Sequence, residues 1–269
     1  MPEIASAQHS RTGRPDLPAM SFLEHLEELR HRIIWSVLYV IGGFGVCYAF
    51  HEKIYAAMQT PIAKALGAHH LPEKLVYTNP TDPFNMYLKI SLIAGIFLAS
   101  PFVLYQVWAF IAPGLYRHER RYVMPFMAST VGLFLAGGLF GYYMVYPAAL
   151  DFLIGYGSQF TPMITITEYT DLFMTIILGL GIVFEMPILV FFLALMGIVK
   201  ASWMWKNFRY SILVIFIIAA IITPTTDIMN MCIFAAPMVA LYLVSIVVAW
   251  LVHPSRRKKR KEKQQQEQG

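Results

Sequence analysis

Carboxylates stand where a largely apolar chain has least use for them. Glu24, Glu27 and Glu28 fall within Ser21-Phe-Leu-Glu-His-Leu-Glu-Glu-Leu-Arg-His-Arg32, directly ahead of the first long apolar run. Glu119 follows in Phe110-Ile-Ala-Pro-Gly-Leu-Tyr-Arg-His-Glu-Arg-Arg121, Glu185 sits in Val183-Phe-Glu-Met-Pro187, and Asp227 comes after Thr223-Pro-Thr-Thr226. The flanks of apolar runs normally favour Lys and Arg on one side of a membrane, so acids kept there invite a cationic partner. A guanidinium is the best geometric match, because its fork of N–H donors fits two carboxylate oxygens.

Each acid also has a purely structural use. Ser21 and Glu24 have the spacing of a capping box, which assigns Glu24 to a helix N-terminus. Glu27 can pair with His31 and Glu28 with Arg32, both at i,i+4, for about 0.2–0.5 kcal/mol each. Glu119 has three Arg neighbours and a local salt bridge open to it. Glu185 lies mid-run, where an ionised carboxylate is costly unless neutral, paired or facing water. Pro187 removes the hydrogen bond to the Val183 carbonyl and predicts a kink beside it. Asp227 suits a helix N-terminus.

The elements that position these groups are legible from hydropathy. Of 269 residues 57% are hydrophobic and 14% charged, against roughly 25% charged in a soluble domain, which makes this a polytopic membrane protein. Six apolar runs are read: 33–50, 90–112, 122–150, 172–199, 210–222 and 228–252. Five match a hydrocarbon core of about 30 Å. The fifth is short, its length rising only about 20 Å at ~1.5 Å per residue. Leu23, Leu26 and Leu29 recur with Phe22 and Ile33 at helical spacing, predicting an amphipathic interfacial helix over 22–33 that runs into the first span.

Arg11, Arg14, Arg30 and Arg32 precede the first run, Arg117, Arg120 and Arg121 lie between the second and third, Lys200, Lys206 and Arg209 between the fourth and fifth, and 256–263 follows the sixth. Residues 122–199 contain neither Lys nor Arg. The positive-inside rule then puts both termini and the 113–121 and 200–209 loops in the cytoplasm, with 51–89 and 151–171 outside. The expected organisation is a disordered tail over 1–20, a six-helix transmembrane domain over 21–252, and a polybasic, Gln-rich disordered tail over 253–269 that meets anionic lipid. No apolar h-region or transit peptide precedes Ser21, so the first span is expected to insert the protein into a bacterial plasma membrane.

Several classes are excluded or weak. Cys47 and Cys232 lie apart in apolar runs and give no disulfide or zinc spacing. His69-His70 lacks further ligands, and phosphate-loop, nucleophile-elbow and zinc-protease motifs are missing, so no enzyme, metal site or cofactor is expected. The basic tail alone is poor evidence for nucleic acid. Gly137 and Gly141 form a GxxxG pattern, and Gly179 and Gly181 dot the fourth run, all read as close helix packing.

In order and spacing, Phe22 to Arg32, Ser100-Pro-Phe-Val-Leu-Tyr-Gln-Val-Trp-Ala-Phe-Ile-Ala-Pro-Gly-Leu-Tyr-Arg-His-Glu-Arg-Arg121, Phe184-Glu-Met-Pro187 and Thr223-Pro-Thr-Thr-Asp227 resemble the TatC family. That family is the multi-span receptor subunit of the twin-arginine protein translocase. The resemblance runs from about Ser21 to Val252. It implies an all-α fold of six transmembrane helices in a curved, cupped bundle with the last two short, and recognition of the twin-arginine motif in signal peptides of folded precursors at the cytoplasmic face. Glu28 and Glu119 match the family's recognition site, and Arg30 and Phe110 match positions important to that surface. Glu185 matches its intramembrane acid, Asp227 its acid at the outer start of the last span, and Pro61 a proline in the first outer loop. Many relatives carry Gln where this chain has Met231, which bears on polar docking of a small partner helix there.

The expected function is therefore a translocase receptor that works with small single-span partners resembling TatA and TatB, self-associates, and is driven by the proton-motive force. The alternative from a different class is a proton- or ion-coupled solute transporter using Glu185, which would favour paired broken helices or internal repeats.

Overall fold

The computed structural model describes residues 22–71, 74–111, 123–223 and 227–252, and within these the chain is helical apart from short connections. The first helix, α1 (Phe22–Ala49), joins the amphipathic lead-in to the first span without a break. Next come α2 (His51–Ala68) and α3 (Asp82–Ile111). The third span is α4 (Val123–Phe140), a π-helical turn over Gly141–Val145, and α5 (Tyr146–Tyr156). The fourth is α6 (Ile166–Val183) followed by α7 (Met186–Leu195). A short α8 (Ala201–Lys206) leads into α9 (Phe208–Ile222), and α10 (Ile228–Val252) closes the described chain. Expectations for the tails 1–20 and 253–269, for Ser21 of the capping box and for the loop carrying Glu119 lie outside the described residues.

Among the described residues five stretches are long and apolar enough to cross a membrane: Leu23–Ala49, Asp82–Phe110, Phe126–Tyr156, Ile166–Leu195 and Ile228–Leu251, with Phe208–Ile221 as a shorter apolar helix. Shortness therefore falls on the fifth helix; the sixth has 25 residues, so of the last two only α9, with 15, is short. The reason is compositional: 228–252 carries no charged side chain, whereas α9 has Arg209 in its first turn and is followed by the Thr-Pro stretch from Thr223.

The residues expected as a long outer loop after the first span contain α2. Lys53, Lys64 and Glu52 mask it in a hydropathy reading, yet Met58, Pro61, Ile62, Ala65 and Leu66 are buried at helical spacing and pack it on the bundle. The chain between α2 and α3 is stitched to the α5–α6 connection by a single parallel bridge, Val76 N donating to Ile164 O at 3.0 Å and Ile166 N to Val76 O at 2.8 Å.

Between helices in lipid, close backbone approach replaces the hydrophobic drive of a water-soluble core. At the α1–α3 crossing a Cβ on Gly95 would stand 2.6 Å from Phe44 N, and one on Gly43 2.6 Å from Gly95 O, so only hydrogen fits. The expected packing role of Gly137 and Gly141 holds, since their missing Cβ atoms face Leu180 O, Phe184 and Ile177 of the fourth span.

Candidate functional site

The α1–α3 pair sets out the site at the N-terminal end of α1. The helices are antiparallel, and Arg32 and Gln106 each lie about eleven residues, or three turns, from the Gly43–Gly95 crossing toward the same end. That shared register brings them into contact: Arg32 Nη1 donates to Gln106 Oε1 at 2.9 Å. Arg32 Nη2 donates to Glu28 Oε1 at 3.2 Å, forming the i,i+4 ion pair expected from spacing. Glu28 is only 18% exposed in its side chain, and its Oε2 is buried with no hydrogen-bond partner. One turn further out, His25 stacks on Phe110 with ring centroids 4.4 Å apart, which joins Phe110 to the same surface. Arg30 is exposed, two residues on from Glu28 and so turned to the opposite face of α1.

The expected Glu27–His31 pair does not form. His31 Nε2 instead accepts from Trp35 Nε1 at 2.8 Å, an i,i+4 contact that leaves Glu27 on an exposed face. Sequence reading missed Gln106 and His25. Gln106 carries a usable signal, being a long polar side chain inside the apolar run 90–112, where an amide needs a partner on a neighbouring helix.

The second acid, Glu185, sits where the fourth span breaks. Helix α6 ends at Val183 and α7 starts at Met186, the interruption that Pro187 predicts. Glu185 is half-buried, and its Oε1 is buried without a hydrogen-bond partner. Its neighbours Val183 and Met186 line two adjoining cavities of about 450 and 550 Å³, which also share Ile218 and Met238. Together they make one apolar groove between the fourth span and α9, floored by α10, because α9 packs on α10 and only sparsely on α6.

At the opposite end of the bundle, Asp227 caps α10: its Oδ2 accepts from Asn230 N at 2.9 Å, while Oδ1 is buried without a partner. Met231, one turn on, packs half-buried against the main core. Pro61 is buried inside α2 rather than in a loop. Its ring nitrogen cannot bond the Ala57 carbonyl, and Tyr142 of the third span donates its hydroxyl to that oxygen at 2.6 Å. The next carbonyl, Met58 O, accepts from the Tyr169 hydroxyl. Pro101 in α3 is handled similarly, with the Ser100 hydroxyl donating to the freed Phe97 carbonyl at 2.7 Å.

The geometry thus has a shielded carboxylate at one end of α1, an isolated acid at a broken span, and a capped acid at the far end. A family model described as Sec-independent protein translocase protein (TatC) matches residues 24–237. The chain belongs to the TatC family. A Sec-independent protein translocase protein TatC of Koribacter versatilis is 72% identical over 268 residues, covering 100% of this chain and 99% of that protein. The TatC of Aquifex aeolicus is 36% identical over 244 residues, covering 89% and 98%. A crystal structure described as the twin arginine translocase receptor TatC superposes with a TM-score of 0.77 at 35% identity, covering 85% of this chain and 99% of that one. The chain is accordingly a multi-pass membrane subunit of a Sec-independent protein translocase, with the all-helical TatC fold. Membership of the family does not favour the solute-transporter reading.

Proposed function

We propose that this subunit recognises the twin-arginine motif of signal peptides on folded precursors, with Glu28 and Glu119 as the two acceptors. The observation that carries the reading is Glu28 itself, a shielded carboxylate with one oxygen unpartnered, one turn from the His25–Phe110 stack. A guanidinium completing such a carboxylate makes charge-assisted hydrogen bonds of about 1.5–3 kcal/mol each. Glu119 comes from the segment after α3, whose Phe110 already packs at this end of α1. The twin arrangement of acids on two segments suits two consecutive Arg side chains.

In this reading the N-terminal end of α1 faces the cytoplasm of a bacterium and the protein resides in the inner membrane, as its Lys and Arg distribution favours. The apolar stretch of the signal lies along the membrane-embedded surface near Glu185. Small single-span subunits resembling TatA and TatB, together with further copies of this chain, complete the translocase, and Pro61 and Asp227 act at the outer face. Transport is driven by the proton-motive force.

The test compares binding of an Arg-Arg signal peptide and its Lys-Lys counterpart to the full chain in nanodiscs, for wild type, Glu28→Gln and Glu119→Gln. Each substitution is expected to lower Arg-Arg binding by tenfold or more and to leave the weak Lys-Lys binding nearly unchanged. Equal binding of both peptides by wild type overturns the assignment. Glu185→Ala is expected to keep peptide binding and lose precursor export; export at the wild-type rate removes Glu185 from the transport path.

A further inference from the structure

We infer that Gln106 is a positioning residue for signal-peptide binding: it holds Arg32 so that Glu28 is free to turn to an incoming guanidinium. The inference rests on the twin-arginine reading of Glu28 and names the device that makes that acid available.

The observations are three. Arg32 and Glu28 meet through one nitrogen and one oxygen only, at 3.2 Å, whereas Arg–carboxylate pairs frequently close as two-pronged forks at about 2.7–2.9 Å. The other terminal nitrogen of Arg32 is given to Gln106 Oε1 at 2.9 Å, the shorter of the two contacts. The leftover groups, Glu28 Oε2 and Arg32 Nε, are both buried without partners. Because a guanidinium only donates, the amide oxygen of Gln106 is fixed as its acceptor. Gln106 itself is 6% exposed and sits on α3, so it stays in place whatever α1 side chains do.

The consequence follows from what binding must leave behind. Glu28 Oε2 is covered in this conformation, so an external guanidinium reaches the carboxylate only after Glu28 changes rotamer and gives up part of its bond to Arg32. A partly buried cation stripped of its acceptors is expensive. Gln106 supplies a neutral acceptor that stays with Arg32 through the exchange, and being uncharged it does not compete with Glu28 for the ligand. Arg32 in turn pre-orients Glu28 without capturing both oxygens. Lacking Gln106, Arg32 would close on Glu28 through both prongs, and the signal peptide would have to break a full ion pair.

The experiment is peptide binding to the full chain in nanodiscs, with a fluorescent Arg-Arg signal peptide and a Lys-Lys control. Gln106→Leu and the shorter Gln106→Asn, which keeps polarity but not reach, are each expected to weaken Arg-Arg binding about tenfold. Removing the cation as well is the decisive arm: Gln106→Leu combined with Arg32→Gln should bind like Arg32→Gln alone and several-fold more tightly than Gln106→Leu, a rescue that a packing role for Gln106 would not give. Wild-type affinity in both Gln106→Leu and Gln106→Asn, or no rescue by Arg32→Gln, overturns the inference. Loss of the Arg-Arg preference in wild type overturns the underlying reading of Glu28 instead, so the two failures are distinct.

Discussion

Prolines in membrane helices leave a carbonyl without its usual donor, and at Pro61 and Pro101 a hydroxyl takes that donor's place. Tyr142 reaches Ala57 O from the third span, and Ser100 reaches Phe97 O from within its own helix. The first of these ties α2 to the bundle, so Pro61 acts as a docking device through the acceptor it exposes. Tyr142→Phe is expected to lower the stability of the purified protein by about 1 kcal/mol, the net value of such a bond. In a Pro61→Ala background, where the substituted residue brings a backbone N–H within reach of the Ala57 carbonyl, the same change should cost measurably less. Thermal unfolding of the four proteins of that cycle checks it, and equal costs in both backgrounds would show that Pro61 and the tyrosine act independently. Of these residue-scale features, the Glu28–Arg32 pair and the Asp227 cap were legible, since both are set by spacing along one helix. The Gln106 and Tyr142 bonds were not, because each joins residues separated by 74 and 85 positions whose meeting depends on helix register.

That register is a property of elements. Helices α1 and α3 touch backbone to backbone at Gly43 and Gly95, and the contact phases Arg32 against Gln106 three turns away. A methyl at Gly95 would meet Phe44 N at 2.6 Å and Phe44 Cα at 2.8 Å, backbone atoms that yield only if the helices part. Gly95→Ala is therefore expected to cost about 1–3 kcal/mol and to weaken Arg-Arg peptide binding by displacing Gln106 from Arg32. Gly42, one position from the crossing, faces open space, and Gly42→Ala should be neutral or stabilising by up to about 1 kcal/mol. Unfolding midpoints and peptide affinities of the two variants check the contrast; similar behaviour would remove the crossing as the element that sets the site. The apolar runs themselves were readable because a span declares itself in composition. Helix α2 was not, since its polar face carries Glu52, Lys53 and Lys64, and only the periodicity of Met58, Ile62, Ala65 and Leu66 gives it away.

At the scale of the molecule the open issue in the sequence was whether the fifth run crosses. Helix α9 has 15 residues and rises about 22 Å, short of a hydrocarbon core of about 30 Å, whereas α10 with 25 residues has length to spare. If α10 crosses and the basic tail shares a side with the N-terminus, α9 must cross too, and the bilayer thins around it or a partner helix in the adjoining groove shields its ends. The groove fits that arrangement, because Val214, Ile215 and Ile218 of α9 line it with Val183 and Met186 of the fourth span. Single cysteines at Ser158, in the connection between α5 and α6, and at Lys206, at the end of α8, mark the two sides, both positions being exposed. A membrane-impermeant thiol reagent added to intact cells should label Ser158→Cys and leave Lys206→Cys untouched until the membrane is opened. Thr225→Cys, between the fifth and sixth runs in sequence, decides the topology: labelling from outside means that α9 spans, and labelling only from the cytoplasm means that α9 and α10 do not both cross. Cys47 and Cys232 are first replaced by Ser to give the background, because Cys232 is exposed near the start of α10. Outside labelling of Thr225→Cys is the expected result, because six crossings return the basic tail to the side where the Arg-rich N-terminal segment begins.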